Sequence, residues 1–355
     1  MPAISVDTFF ACSLMVLLVL SAMACASKFL YPHISNAVDV NIAERYESVS
    51  RHLLLNDGTP SNWGQNHQIT PETFGLAKAG SSNPYELDID KVSRLNSENL
   101  YSMSYAQIFT ALEMSDVSFR IEVEPVFDVA VNQTAAFEGA NETSYEFEIL
   151  TEKQGFSVQA DLKFYVVAEN YLETSHDYVS NGRTHVNITL PNDVNKPALL
   201  VVFARSTSNA RLASFSAYTF ASNSTELNPK GTFLRLSPLN YNLNASLLYL
   251  GINLSDAYAL SFNYFSTLTQ NANNSQSVTY DIPRFLDSSP TLIVVTGWNS
   301  TSFFTEWTAY PQIPIQTGVS SASSTALSNV FAYTYLVTID LAIYKCTVWL
   351  GGPRE

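Results

Sequence analysis

Charge is scarce in this chain. Only 14% of its 355 residues are Asp, Glu, Lys or Arg, against ~25% in ordinary soluble domains. Basic residues are the scarcer kind, with 18 Lys and Arg against 32 Asp and Glu and a net charge of −14. A nucleic-acid binder needs a basic stripe to displace counterions from phosphates, so nucleic acid is excluded as an expected partner. Cysteine is nearly absent. Cys12 and Cys25 lie in an apolar run and Cys346 stands alone near the C-terminus, which provides neither a disulfide framework nor a metal-ligand spacing. Catalytic motifs are also missing. No G-x-S-x-G, H-E-x-x-H, P-loop or G-x-G-x-x-G occurs, and the five histidines are dispersed. An enzyme is not expected, and neither is a cofactor.

What is present is Ser, Thr and Asn in quantity, with 19 Tyr and 21 Phe. Strands that expose one face take hydroxyls, amides and aromatics readily. Before these comes an uncharged run, Thr8–Ser27. About 20 apolar residues in a helix are enough to span a bilayer core, so one reading is a membrane anchor. A second is a secretory signal cut after Ala26, within the box Ala24-Cys25-Ala26. A third lipidates Cys25. Downstream, Val38, Ile42, Tyr46, Val49 and Leu53 recur at helical spacing and define an apolar face. Pro32 predicts a kink, and Asn56-Asp57-Gly58 predicts the helix stop.

An apolar rod passing into an amphipathic helix and then a β-rich head resembles the archaeal type IV pilin-like surface proteins, which carry class III signal peptides. The order Pro60, Trp63, Gly75-Leu76-Ala77, Leu87-Asp88, Lys91, Arg94-Leu95 adds to that resemblance, which covers roughly residues 3–125. It implies processing before Ala3, with Asp7 as the fifth mature residue and a countercharge for a neighbour's amino terminus in an assembly. It also implies a membrane-inserted precursor, self-association or other pilin-like subunits as partners, and a filament as the product. The chain departs from the family in having only Met1-Pro2 ahead of the cut, with no basic residue.

From Val117 the spacing changes to alternation. Phe119, Ile121 and Val123 alternate with Arg120 and Glu122, and Tyr145, Phe147 and Ile149 with Glu146 and Glu148, as half-buried strands do. Asn181-Gly182 predicts a hairpin turn. The run Ala198–Ala204 is apolar throughout and predicts a central strand buried on both faces. Asp340 is the predicted turn of a C-terminal hairpin. The fold expected is α+β: an N-terminal hydrophobic and amphipathic helix, then a head of immunoglobulin- or transthyretin-like sandwiches. Its expected divisions are residues 1–31 as anchor, 32–116 as a helical and loop region, 117–221 as a first sandwich, and 222–355 as a second β-rich domain.

Eight N-x-S/T sequons, at Asn132, Asn141, Asn187, Asn223, Asn244, Asn253, Asn273 and Asn299, all follow the helical region. They suit an exported head in a cell with N-glycosylation. Trp298, Trp307 and Tyr310 lie in one aromatic stretch, where a sugar ring could stack if their faces are open to water. The expected function is an exported, membrane-anchored structural subunit at the cell surface or in an extracellular filament. The alternative is a membrane-tethered adhesin or a receptor for surface glycans.

Overall fold

Strand β9 (Ala198–Ser206) is buried at every position but one, and a strand achieves this only with packed material on both faces. Its alternate side chains enter different cores. Ala198, Leu200, Val202 and Ala204 enter one, and Leu199, Val201 and Phe203 the other. That division organises the computed structural model of the protein, which describes residues 6–114, 117–194, 197–221, 227, 229–300, 302–319 and 328–352, without the side chains of 6–12, 29–40 and 328–329.

Four sheets stack face to face. The first holds β3 (Asp128–Glu138), β4 (Glu142–Lys153) and β5 (Phe156–Ser157), with β8 (Arg183–Pro191) also on β4. The second runs β10 (Ala213–Phe220), β9, β6 (Ala160–Ala168), β7 (Tyr171–Val179). The third runs β14 (Phe265–Thr267), β13 (Ile252–Leu260), β17 (Thr291–Asn299), β18 (Ser302–Tyr310). The fourth runs β11 (Leu234–Leu239), β12 (Asn242–Leu247), β16 (Ser277–Asp281), β15 (Thr269–Asn273). One core, with Phe147, Phe164 and Val202, joins the first two sheets. Another, with Ile293, Val295 and Leu243, joins the last two. Tyr165, Phe203, Leu260 and Val294 form the layer between the two sandwiches. Polar ties cross that layer: the Tyr165 hydroxyl donates to the Ser261 carbonyl at 2.9 Å, and Arg205 pairs with the buried Asp287.

A fifth sheet collects strands from distant parts of the chain. Its order is β1 (Glu86–Leu87), β20 (Ser328–Ile339), β21 (Ala342–Gly352), β2 (Ser118–Pro125), β19 (Ile315–Gly318). The whole four-sheet stack is thus inserted between β2 and β19. β2 has the alternation read from its sequence, but it pairs with β21 and β19 rather than with a sandwich strand. The C-terminal hairpin turns at Asp340, whose φ is 56°. Asn181-Gly182 does turn the chain, with Gly182 at φ 72°. It closes no hairpin, however: β7 lies in the second sheet and β8 in the first, so this turn crosses between layers.

The α+β expectation is corrected to a mainly β fold. Among the described residues of 56–116 there are only two short helices, α2 (Ile89–Ser93) and α3 (Tyr105–Ala111); the loops around them are fixed by buried side chains instead. The helix α1 (Val6–Leu55) continues through Pro32, and toward its C-terminal end Tyr46, Ser50, Leu53 and Leu54 are buried while Glu44, Arg45 and Arg51 are exposed. The membrane anchor is corrected too. Among the described residues no helix is long and apolar enough to cross a membrane. The chain divides into two compact units, Met1–Arg51 and His52–Glu355.

Candidate functional site

The Trp63-to-Leu95 motif forms a buried polar hub within the second unit. Asp88 caps α2 by accepting from the Asp90 and Lys91 amides at 2.9 and 3.1 Å. The capped turn aims three charged side chains inward. Arg94 donates to the carbonyls of Trp63, of Asn66 and Ile69 at 3.2 and 3.1 Å, and of Tyr101 at 3.1 Å. Lys91 donates to the Asp57 and Ala77 carbonyls at 2.8 and 2.7 Å. Both cations lie within 6 Å of the Trp63 ring, at 5.5 and 5.8 Å from its centre. Burial pushes the Lys91 and Arg94 pKa values below their ordinary range. Their donors are taken up by backbone carbonyls, so the hub serves to lock irregular loops. Asp88 and Asp90 are themselves buried rather than solvated. Among the described residues no His, Cys, Asp and Glu cluster could hold a metal ion.

The three aromatic candidates do not come together. Tyr310 is 2% exposed, and its hydroxyl donates to Asp90 at 2.7 Å. Its ring belongs to the core between the third and fourth sheets. Trp307 turns to the opposite face of β18, toward the layer between the sandwiches. Trp298 stacks edge-on to Phe303 at 5.8 Å. Because Trp298 pairs with Phe303 and Trp307 with Val294, the two tryptophans are four strand positions apart, or ~13 Å at 3.3 Å per residue. No flat three-ring surface exists.

Trp307 alone stands at an open groove. Two cavities, of about 300 and 480 Å³, share Glu98, Lys230, Trp307 and Thr308, a size range typical of small-ligand sites. The Trp307 ring is half-buried and rests edge-on to Phe215 at 6.2 Å. Lys230 Nζ sits 4.3 Å from the ring centre and 3.0 Å from Glu98. This pair bridges the groove where the two cavities meet. Below it, buried Glu306 accepts from the Gly231 and Phe233 amides at 2.6 and 3.0 Å, which fixes the chain entering β11. Burial raises the Glu306 pKa, opposed by those amides. Arg235 holds the other wall by donating to the Ser97, Glu98 and Asn99 carbonyls at 3.0, 2.9 and 3.2 Å. Sequence reasoning found Trp307 but missed Lys230, Glu98 and Arg235. Nothing in their local spacing links them, since Glu98 and Lys230 meet only in the fold.

Of the glycosylation candidates, Asn132, Asn141, Asn187, Asn253 and Asn273 are exposed and Asn244 and Asn299 are half-buried. Asn223, Ala3 and the Asp7 side chain lie outside the described residues.

No known family's pattern matches the chain, and no curated protein matches it. Solved structures align with parts of the chain. Red sea bream transglutaminase is 11% identical over 52% of this chain and 31% of its own, with a TM-score of 0.21. HBP35 of Porphyromonas gingivalis is 12% identical over 52% and 63%, with a TM-score of 0.19. S. aureus TarS is 10% identical over 46% and 36%, with a TM-score of 0.16. The chain spans less than two thirds of each of these structures, and at such scores it is similar to them only in a loose, partial way.

Proposed function

We propose that this protein is an exported, non-catalytic recognition module that takes carbohydrate in the groove beside Trp307. The observation that carries this reading is the arrangement of Trp307, Lys230 and Glu98. An indole face can stack on the apolar C–H face of a sugar ring. Flanking charged and amide groups supply the hydrogen bonds that orient its hydroxyls. Lys230 covers the indole in the free protein, but its ion pair with Glu98 is partly solvated, with side-chain exposures of 35% and 64%. Such pairs contribute only ~0–1 kcal/mol, so an entering ring displaces Lys230 cheaply. The exposed sequons support the exported part of the reading.

The test is calorimetric titration of the full-length protein with soluble neutral oligosaccharides built from hexose and N-acetylhexosamine units. Binding is expected, with Trp307→Ala weakening it at least about tenfold, the loss of ~1.4 kcal/mol, and Trp298→Ala leaving it unchanged. Absence of heat at millimolar sugar, or equal binding by Trp307→Ala, refutes the reading.

A further inference from the structure

The turn from β12 to β13 carries Leu248, Tyr249, Leu250 and Gly251 into solvent. Leu248 is 48% exposed, Tyr249 57% and Leu250 93%. Three consecutive large apolar residues at a loop tip cost hydration free energy and offer a site for nonspecific association. The turn is built rather than loose. The Leu248 amide donates to the Phe233 carbonyl at 3.0 Å, and the Tyr249 ring meets Phe233 edge-on at 6.4 Å.

Beside this tip lies a cavity of about 280 Å³. Tyr249 and Leu250 line it, and so do Asn253 and Asn273. These two asparagines open the sequons Asn253-Leu254-Ser255 and Asn273-Asn274-Ser275. They come from different sheets, Asn253 from β13 and Asn273 from the end of β15, and both are exposed. The fold therefore gathers two sequons, twenty positions apart in sequence, around one apolar tip.

We infer that N-linked glycans on Asn253 and Asn273 fold over the Leu248–Leu250 tip and shield it, the first sugar rings seating in the shared cavity against Tyr249. The occupant is the chain's own modification. A pyranose ring has an apolar C–H face suited to the Tyr249 ring and a hydroxyl rim suited to water. Attachment follows ordinary sequon chemistry. The Asn Nδ2 attacks C1 of a lipid-linked oligosaccharide diphosphate, an N–C bond forms, and the C–O bond to phosphate breaks. The lipid diphosphate leaves with the bonding pair, and one amide proton is released. The inference rests on the exported reading, because only an exported head meets such a donor.

Peptide mass spectrometry of protein taken from its native cells tests attachment, and the full-length chain made in an N-glycosylating host tests shielding. Both Asn253 and Asn273 are expected to carry hexose-containing glycans. The double variant Asn253→Gln/Asn273→Gln is expected to bind anilinonaphthalene sulfonate severalfold more strongly than the glycosylated protein. Asn187→Gln, in the other sandwich, leaves the dye signal unchanged. Adding Leu250→Ser to the double variant brings the signal back down, which separates the tip from general unfolding. Occupied sites whose loss leaves dye binding unchanged overturn the shield. Sugar at Asn132, Asn141 or Asn187 with none at Asn253 and Asn273 also overturns it, while leaving export intact. A native protein with no sugar at any sequon removes both the shield and the sequon support for export.

Discussion

Asp90 is held between opposing effects of burial and hydrogen bonding. Its carboxylate is 2% exposed and accepts from the Tyr310 hydroxyl and the Asn240 amide, both at 2.7 Å. It therefore ties α2 to the β11–β12 turn and to the end of β18. Burial raises its pKa from 3.8 to about 6; the two hydrogen bonds and Arg284 oppose that rise, and Asp88 adds to it. Between these two pH values the folded carboxyl holds a proton that the unfolded one has released. Folding takes up a proton there, so this group's contribution to stability falls as pH rises through the window. At ~1.4 kcal/mol per pKa unit the full change is about 3 kcal/mol. Asp90→Asn keeps an oxygen to accept from Tyr310 and Asn240 but does not titrate. Its stability relative to wild type is expected to improve steadily from about pH 4 to pH 7, by up to ~3 kcal/mol. Urea unfolding across that range measures the difference, and a difference that does not change with pH contradicts the burial argument.

Strand β9 shows what an element between two sandwiches requires. Leu199 and Leu200 are both fully buried, in separate cores. Leu199→Ala and Leu200→Ala are each expected to cost ~2–5 kcal/mol, read by chemical denaturation. On a strand with one solvent face, one of two adjacent changes would be nearly neutral, and that result would refute the four-sheet stack. The burial of β9 was legible because Ala198–Ala204 lacks any polar alternate, and the facing of β4 because Glu146 and Glu148 alternate with Tyr145, Phe147 and Ile149. Partners were not legible. Phe119, Ile121 and Val123 give β2 the same pattern whichever sheet receives it, and an Asn-Gly turn fixes local φ without choosing between a hairpin and a crossing. The hub was only half legible. Trp63, Lys91 and Arg94 stood out by their order, but the carbonyls they satisfy come from loops with no periodicity. At the groove, aromatic content pointed to Trp307, whereas Tyr310, three positions later, turns into a core because successive strand residues face opposite ways.

At the scale of the molecule, the head from His52 onward is its own compact unit. A protein beginning at His52 is therefore expected to keep a β-dominated circular dichroism spectrum and the melting midpoint of the full-length chain; a large drop in midpoint would show that the head depends on α1. Within the head, the pairing of Ser118 with Gly351 has a further consequence, for synthesis. The ribosome delivers β2 early and β21 last, with both sandwiches emerging between them. Closing so long a loop is entropically slow, and pairings of this kind dominate folding time. Each sandwich can condense as it emerges, while β2 waits for partners with its ladder groups open to neighbouring nascent chains. Arg120, Glu122 and Glu124 alternate along that waiting strand, and such charges deter edge-to-edge pairing with another chain. Two of the same side chains then take a second part in the finished sheet, where Glu122 accepts from Trp349 Nε1 at 3.0 Å and Arg120 lies 5.6 Å from the centre of that indole ring, so charges that deter wrong pairing during synthesis hold β21 once it arrives.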